Sequence, residues 1–188
     1  MSELFSIQLQ NRQQQGRDGV WLDLPTTTEQ VQAALRQIGI SSDNPQGLFI
    51  SGYFAEEEKR FAIPYNMVLA SNVDELNFLA SRLETLSTGE RAELNAALQA
   101  PQSELFSIGR ITDFPENVDY YVHLPDVHGP AQLGDYYLNR SGMVDMPEEW
   151  KGGIDTAQFG RYVAQQEQGA FTQYGYLCLL YTSDAADD

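Results

Sequence analysis

The sequence has few basic residues. Its 188 residues include 11 lysines and arginines against 27 aspartates and glutamates, a formal net charge of −16, and the only lysines are Lys59 and Lys151. A surface of this sign repels nucleic acid. The composition therefore excludes binding of DNA or RNA through a basic patch, and it favours a basic partner. Ordinary solubility is the alternative explanation of the charge.

Long apolar runs are also missing, and there is only one cysteine. No stretch approaches the ~20 apolar residues that cross a bilayer, and the start, MSELFSIQLQNRQQQ, lacks the pattern of a signal peptide. We therefore expect a cytoplasmic protein without membrane contact. The single cysteine, Cys178, opens the final segment CLLYTSDAADD, residues 178–188, which resembles the translation of a sequencing-library adapter. We expect this tail to be foreign to the protein, so Cys178 supports no disulfide or metal site.

Sequence signatures of nucleophilic enzymes and nucleotide-binding loops are absent as well. There is no G-x-S-x-G motif and no Walker-type loop. The only histidines, His123 and His128, lie in DYYVHLPDVHGPAQLGDYY, residues 119–137. Five residues apart, they diverge on a helix and face opposite sides of a strand. A loop that gathers them with Asp126 into a metal site stays an alternative, but loop histidines without metal are the favoured interpretation, and we expect no cofactor.

Hydrophobic periodicity and turn residues predict an α+β fold, with three small domains and the tail. Residues 1–66 form a small antiparallel sheet with one covering helix. Residues 67–101 form a central pair of antiparallel helices, residues 102–177 an acidic domain of mixed helices and strands, and residues 178–188 the tail. Pro101 separates the second domain from the third.

Local patterns place the individual elements. Predicted strands cover Leu4–Gln10, Val20–Leu24, Gly47–Ala55, Phe61–Tyr65, Tyr120–Leu124 and Ala170–Leu177. Capping-box pairs, Thr27 with Gln30 and Asn72 with Glu75, begin two helices. Further helices cover Ala131–Asn139 and a segment that Asp155 caps. The hexapeptide SELFSI occurs at residues 2–7 and again at 103–108, and we predict two similar opening strands.

Acidic residues concentrate in the C-terminal half. Residues 111–160 contain nine acids and two bases, whereas residues 1–50 contain five acids and three bases. Helix starts favour negative charge, which explains Glu148, Glu149 and Asp155 structurally. The others are not explained by capping: Asp113, Glu116, Asp119, Asp126, Asp135 and Asp145. B-form DNA carries one charge per ~1.7 Å of axis, and we hypothesise that all nine carboxylates imitate part of that array.

Two segments resemble a known family. Residues 133–177, LGDYYLNRSGMVDMPEEWKGGIDTAQFGRYVAQQEQGAFTQYGYL, resemble the C-terminal part of ArdA-type antirestriction proteins. The marks are the DYY helix, the M-P-E-E turn, the helix around FGRY and the closing G-x-F strand. Residues 20–35, VWLDLPTTTEQVQAAL, resemble the opening strand and helix of the family, and the similarity extends over nearly all of residues 1–177.

The resemblance implies an elongated homodimer of small α+β domains that mimics bent B-form DNA. Such proteins occupy the DNA groove of type I restriction–modification enzymes, chiefly the methyltransferase and specificity core, and are typically encoded on conjugative elements. Their mechanism is binding without catalysis, and the nine acids would contact that enzyme. Two alternatives stay open: an acidic adaptor for another basic protein, and a metal-dependent hydrolase using His123, His128 and Asp126.

Overall fold

A computed structural model of the chain describes residues 3–14, 18–41 and 45–180, and its contacts divide the chain into two compact units. The first unit comprises Met1–Ser87 and Leu105–Pro115, and the second comprises Thr88–Glu104 and Glu116–Asp188. The α+β fold predicted from the sequence is confirmed. The three-domain division concerns which segments fold independently, and it stays a prediction. Within the described ranges, no helix has the length and apolar character needed to cross a membrane.

A three-stranded antiparallel sheet organises the first unit. Its strands are β1 (Phe5–Asn11), β2 (Val20–Leu24) and β3 (Leu48–Phe54), in the order β2-β1-β3. Side chains alternate along the central strand, so that Ile7 and Leu9 are fully buried while Gln8 is half-buried. The sheet therefore has one core face, and β2 and β3 are its edges.

Helices cover the core face of this sheet and complete the first unit. They are α1 (Thr28–Gln37), α2 (Tyr65–Leu69), α3 (Val73–Leu83) and α5 (Ile108–Thr112), while α4 (Thr88–Gln99) belongs to the second unit. Both predicted caps are confirmed: the Thr27 side chain accepts from the backbone N–H of Gln30, and the Asn72 side chain accepts from that of Glu75. Leu76 and Leu79 of α3 are fully buried. The spacing of the leucines in the sequence therefore predicted correctly which face of α3 packs in the core.

The second unit contains the remaining helices and a second antiparallel sheet. Its helices are α4 (Thr88–Gln99), α6 (Pro130–Asp135), α7 (Glu148–Lys151) and α8 (Thr156–Gln166), and a π-helical turn, Tyr136–Arg140, continues α6. Its strands are β4 (Tyr121–Leu124), β5 (Ala170–Thr172) and β6 (Gly175–Leu179), in the order β4-β6-β5. The core between sheet and helices includes Leu133, Tyr137 and Tyr176.

Helices α6 and α8 meet through two glycines. A Cβ atom built on Gly134 would overlap the carbonyl oxygen of Thr156, and one built on Gly160 would overlap that of Pro130. Both glycines are buried. The two backbones therefore approach more closely than any pair of helices with side chains at these positions.

Three strand predictions are wrong. Residues 103–108 form no strand: a 3-10 turn covers Pro101–Ser103, and Ser107 caps α5 by accepting from the backbone N–H of Arg110. Phe61–Tyr65 is not an edge strand either, since Tyr65 begins α2. The segment Ala170–Leu177 is not one strand but the hairpin of β5 and β6. Gln173 and Tyr174 form its turn, and Gly175, which follows with φ +115°, begins β6.

Candidate functional site

The nine predicted acids are divided between the two units. Asp113 lies in the first unit, where it follows the last residue of α5. The other eight lie in the second unit, and all of them except Asp135 are exposed. Eight of the nine acids are therefore exposed surface carboxylates.

Asp135, Glu148 and Asp155 have intramolecular partners that define a local role. Asp135 forms an ion pair with Arg140 at 3.4 Å and accepts a hydrogen bond from Asn139 at 2.8 Å. Lys151 donates to Glu148 at 2.6 Å. Asp155 caps α8 by accepting from the backbone N–H of Gln158 at 2.9 Å, as predicted. These carboxylates have local structural roles.

Four other acids are exposed and have no hydrogen-bond or ion-pair partner in the part of the chain that the structure describes: Asp119, Asp126, Asp145 and Glu149. We call them the open acids. Asp119 lies in a 3-10 turn before β4, and Asp126 lies in the turn after it. Asp145 precedes α7, and Glu149 lies in its first turn. Each is held by folded backbone near the ends of short elements while its charge faces solvent.

The second unit has a large excess of acids over bases. Over described residues, the second unit carries twelve acids and four bases, and the first carries eleven acids and six bases. Two of the four bases, Arg140 and Lys151, already pair with Asp135 and Glu148. The field around the open acids is therefore negative, which attracts a cationic surface and weakens as salt is added.

Glu93 on α4 is an acid that the sequence did not single out. Its Oε1 atom is buried and makes no hydrogen bond within the described residues. Burial raises the pKa of its carboxyl to about 7, and the neighbouring charges of Glu90 and Asp119 add to this shift. The Glu93 carboxyl therefore exchanges its proton near neutral pH, and the open acid Asp119 is one of the charges that act on it.

Replacing Glu93 with glutamine should make the second unit less sensitive to pH. The folded chain holds the Glu93 proton up to about pH 7, and the reference value without burial is 4.5. The folded state thus binds more protons between these values, so the free energy of unfolding falls as pH rises through this window. We expect Glu93→Gln to gain about 1 kcal/mol at pH 8, after allowance for solvent screening, and almost nothing at pH 4.

Urea unfolding at several pH values between 4 and 8 measures this effect. Glu90→Gln is the matched control, because it removes one charge from the same helix and leaves the buried carboxyl in place. It should retain most of the pH dependence. A Glu93→Gln profile parallel to the wild-type profile would contradict the assignment.

Both histidines contact the β5–β6 hairpin. His123 on β4 donates from Nε2 to the carbonyl oxygen of Tyr174 at 2.7 Å, and Nδ1 of His128 lies 3.4 Å from that of Thr172. Among described residues, no group of three or more histidine, cysteine, aspartate or glutamate side chains has the geometry to hold a metal ion. The contacts give the histidines a structural role.

Removing both histidines should leave intact the antirestriction activity that the sequence resemblance implies. We expect His123→Gln/His128→Gln to show this activity within about twofold of wild type, because neither side chain is among the open acids. Treatment of the wild-type protein with EDTA should have no effect. The measurement is inhibition of DNA cleavage, with metal content determined by mass spectrometry. Loss of inhibition that added metal restores would instead support the metal-dependent alternative.

A carboxylate shared by two tyrosines is a second feature that sequence patterns did not reveal. Tyr137 donates to Oε1 of Glu167, and Tyr176 donates to Oε2 at 2.6 Å. Burial, followed by these contacts with Glu167, raises the pKa of both phenols. Burial also raises the pKa of Cys178 to about 12, so its thiol is protonated and unreactive. Tyr137, Glu167 and Cys178 line a cavity of about 460 Å³, and we interpret the shared carboxylate as a structural part of this unit.

Comparison with protein families gives a match. The sequence model of the family described as antirestriction protein (ArdA) matches residues 15–178. No individual curated protein matches the chain. The matched range includes most of both units and all nine predicted acids. It covers β2 to β5 and β6 except its last residue, whereas β1 precedes it.

Proposed function

Since this chain belongs to the ArdA family of antirestriction proteins, we propose that it inhibits type I restriction–modification enzymes by mimicking DNA. The family is one of antirestriction proteins and not a family of catalytic enzymes. In the proposed mechanism, the methyltransferase and specificity core of the enzyme binds the carboxylates in place of DNA phosphates. The protein would act as a homodimer in the cytoplasm, without catalysis and without a cofactor.

The observation that carries the proposal is the set of open acids. A carboxylate that is already paired must lose its partner before it can bind a second cation, which costs part of the interaction energy. Asp119, Asp126, Asp145 and Glu149 have no such partner in the described part of the chain and are exposed on folded backbone. They can face arginine and lysine side chains without rearrangement of the unit.

The charge surplus of the second unit supports the same mechanism. Enzymes that bind DNA present lysine and arginine to the phosphates, and these side chains dominate the affinity. With twelve acids against four bases over its described residues, the second unit offers a folded surface of the sign that such a groove attracts. Association should therefore be fast at low salt and fall steeply as salt is raised.

Competition with DNA tests this function. The methyltransferase and specificity core of a type I enzyme is immobilised, and binding of the protein is measured with increasing concentrations of a duplex that contains the recognition sequence. We expect the apparent Kd to rise in proportion to the DNA concentration. Binding that DNA leaves unchanged would overturn the mimicry. Failure to bind this core, together with capture of another basic protein, would favour the adaptor hypothesis.

A further inference from the structure

The strand β2 has a free edge. It is the terminal strand of the order β2-β1-β3, and its one partner, β1, pairs with it from Phe5 opposite Leu24 to Leu9 opposite Val20. No other strand of the described residues pairs with its second side. Unpaired N–H and C=O groups on such an edge are a template for a further extended chain.

A groove lies beside this edge, between β2 and α1. It has a volume of about 580 Å³ and includes Leu22 on the strand and Ala33 and Ala34 on the helix. A strand added to a sheet lies about 4.8 Å from its neighbour. The small side chains of the two alanines leave space beside β2 where the inward side chains of such a strand would pack.

The groove is acidic. Glu3 and Asp23 line it, and none of its lining residues is a lysine or arginine. Trp21 also belongs to the lining and is 49% exposed, but its ring extends across the sheet toward Gly52 of β3. A second copy of the chain would bring the same carboxylates to the edge and be repelled. The charges therefore favour a basic occupant.

We propose that the free edge of β2 binds an extended, lysine- or arginine-containing peptide segment as a fourth strand of the sheet. Backbone hydrogen bonds to β2 provide the affinity, and Glu3 and Asp23 select the positive side chains. This surface lies in the first unit and uses strand pairing, so it goes beyond the proposed binding of the restriction enzyme through the open acids.

The test uses the full chain and a labelled peptide, KVTVKVTV with blocked ends, measured by fluorescence anisotropy. We expect saturable binding of one peptide per chain. A peptide of the same sequence that is N-methylated at every internal residue keeps its charge but cannot pair as a strand. It should bind at least about tenfold more weakly, as should EVTVEVTV. All three peptides are measured with the wild-type protein.

Matched variants locate the surface. Ala33→Arg places a long cationic side chain in the groove, whereas Gln32→Arg adds the same side chain to the next exposed position of α1, outside the groove lining. We expect Ala33→Arg to weaken binding by about tenfold and Gln32→Arg by less than about twofold. Equal binding of the N-methylated peptide, equal effects of the two variants, or no binding overturns the proposal. A dimer of the chain that Ala33→Arg dissociates also overturns it, because the second copy is then the occupant.

Discussion

Replacing the four open acids together with their amides should weaken inhibition of a type I restriction–modification enzyme by roughly 30-fold, since four exposed charge pairs at ~0.5 kcal/mol each contribute about 2 kcal/mol. The variant is Asp119→Asn/Asp126→Asn/Asp145→Asn/Glu149→Gln. Its stability should change little, because these side chains are exposed and make no hydrogen bond or ion pair with the described residues. The measurement is the concentration that halves DNA cleavage, determined at several salt concentrations. The dependence on salt should become shallower.

A matched control variant distinguishes the contribution of the four open acids from the effect of the net charge of the protein. Asp18, Glu57, Glu58 and Asp74 are exposed acids of the first unit, and changing them to amides removes the same four charges. We expect this control to lose less than about threefold in inhibition, mainly through slower association. Equal losses in the two variants would mean that inhibition depends on total charge. No loss in the first variant would exclude the open acids as the binding surface.

Changing Gly160 to alanine should destabilise the second unit by about 1–3 kcal/mol, because a methyl group at this position overpacks the contact between α6 and α8. The added carbon would overlap the carbonyl oxygen of Pro130, a backbone atom that cannot move aside as a side-chain tip can. Alanine is the better helix former, so the loss measures the packing conflict after that gain. Urea unfolding followed by circular dichroism gives the free energy of unfolding.

Gly152→Ala is the control for this substitution. Gly152 ends α7 with helical backbone angles, φ −64° and ψ −16°, and a Cβ atom there would meet nothing within 4 Å. We expect its stability to be unchanged or slightly increased, because alanine restricts the unfolded chain. If the Gly160→Ala protein were as stable as Gly152→Ala, the prediction would be wrong. The helices α6 and α8 could then move apart with little loss in the free energy of unfolding.

The parts of the fold that depend on neighbouring residues were predictable from the sequence. The caps at Thr27, Asn72 and Asp155 each join a side chain to a backbone group three residues on, so the pattern contains both partners. The hexapeptide SELFSI shows the limit of such reasoning. Ser6 and Ile7 of the first copy lie on β1, the central strand between β2 and β3. In the second copy, the equivalent Ser107 caps α5 and Ile108 is the first residue of that helix. The identical residues adopt the structure that their surroundings select.

The candidate site was predictable as a charge distribution but not as a set of available carboxylates. Composition identified the acids of residues 111–160, and all but Asp135 of these are exposed. It did not show that Asp135 pairs with Arg140, since that contact depends on the π-helical turn after α6. Nor did it reveal Glu93, whose environment combines burial on α4 with a charge from Asp119, far along the chain.

The carboxyl of Glu93 determines how a pH titration of this protein is interpreted. Burial on α4 raises its pKa to about 7, which is the range in which histidine ordinarily titrates. A change in stability near neutral pH therefore does not by itself identify a histidine, because a glutamate of this chain exchanges its proton in the same range.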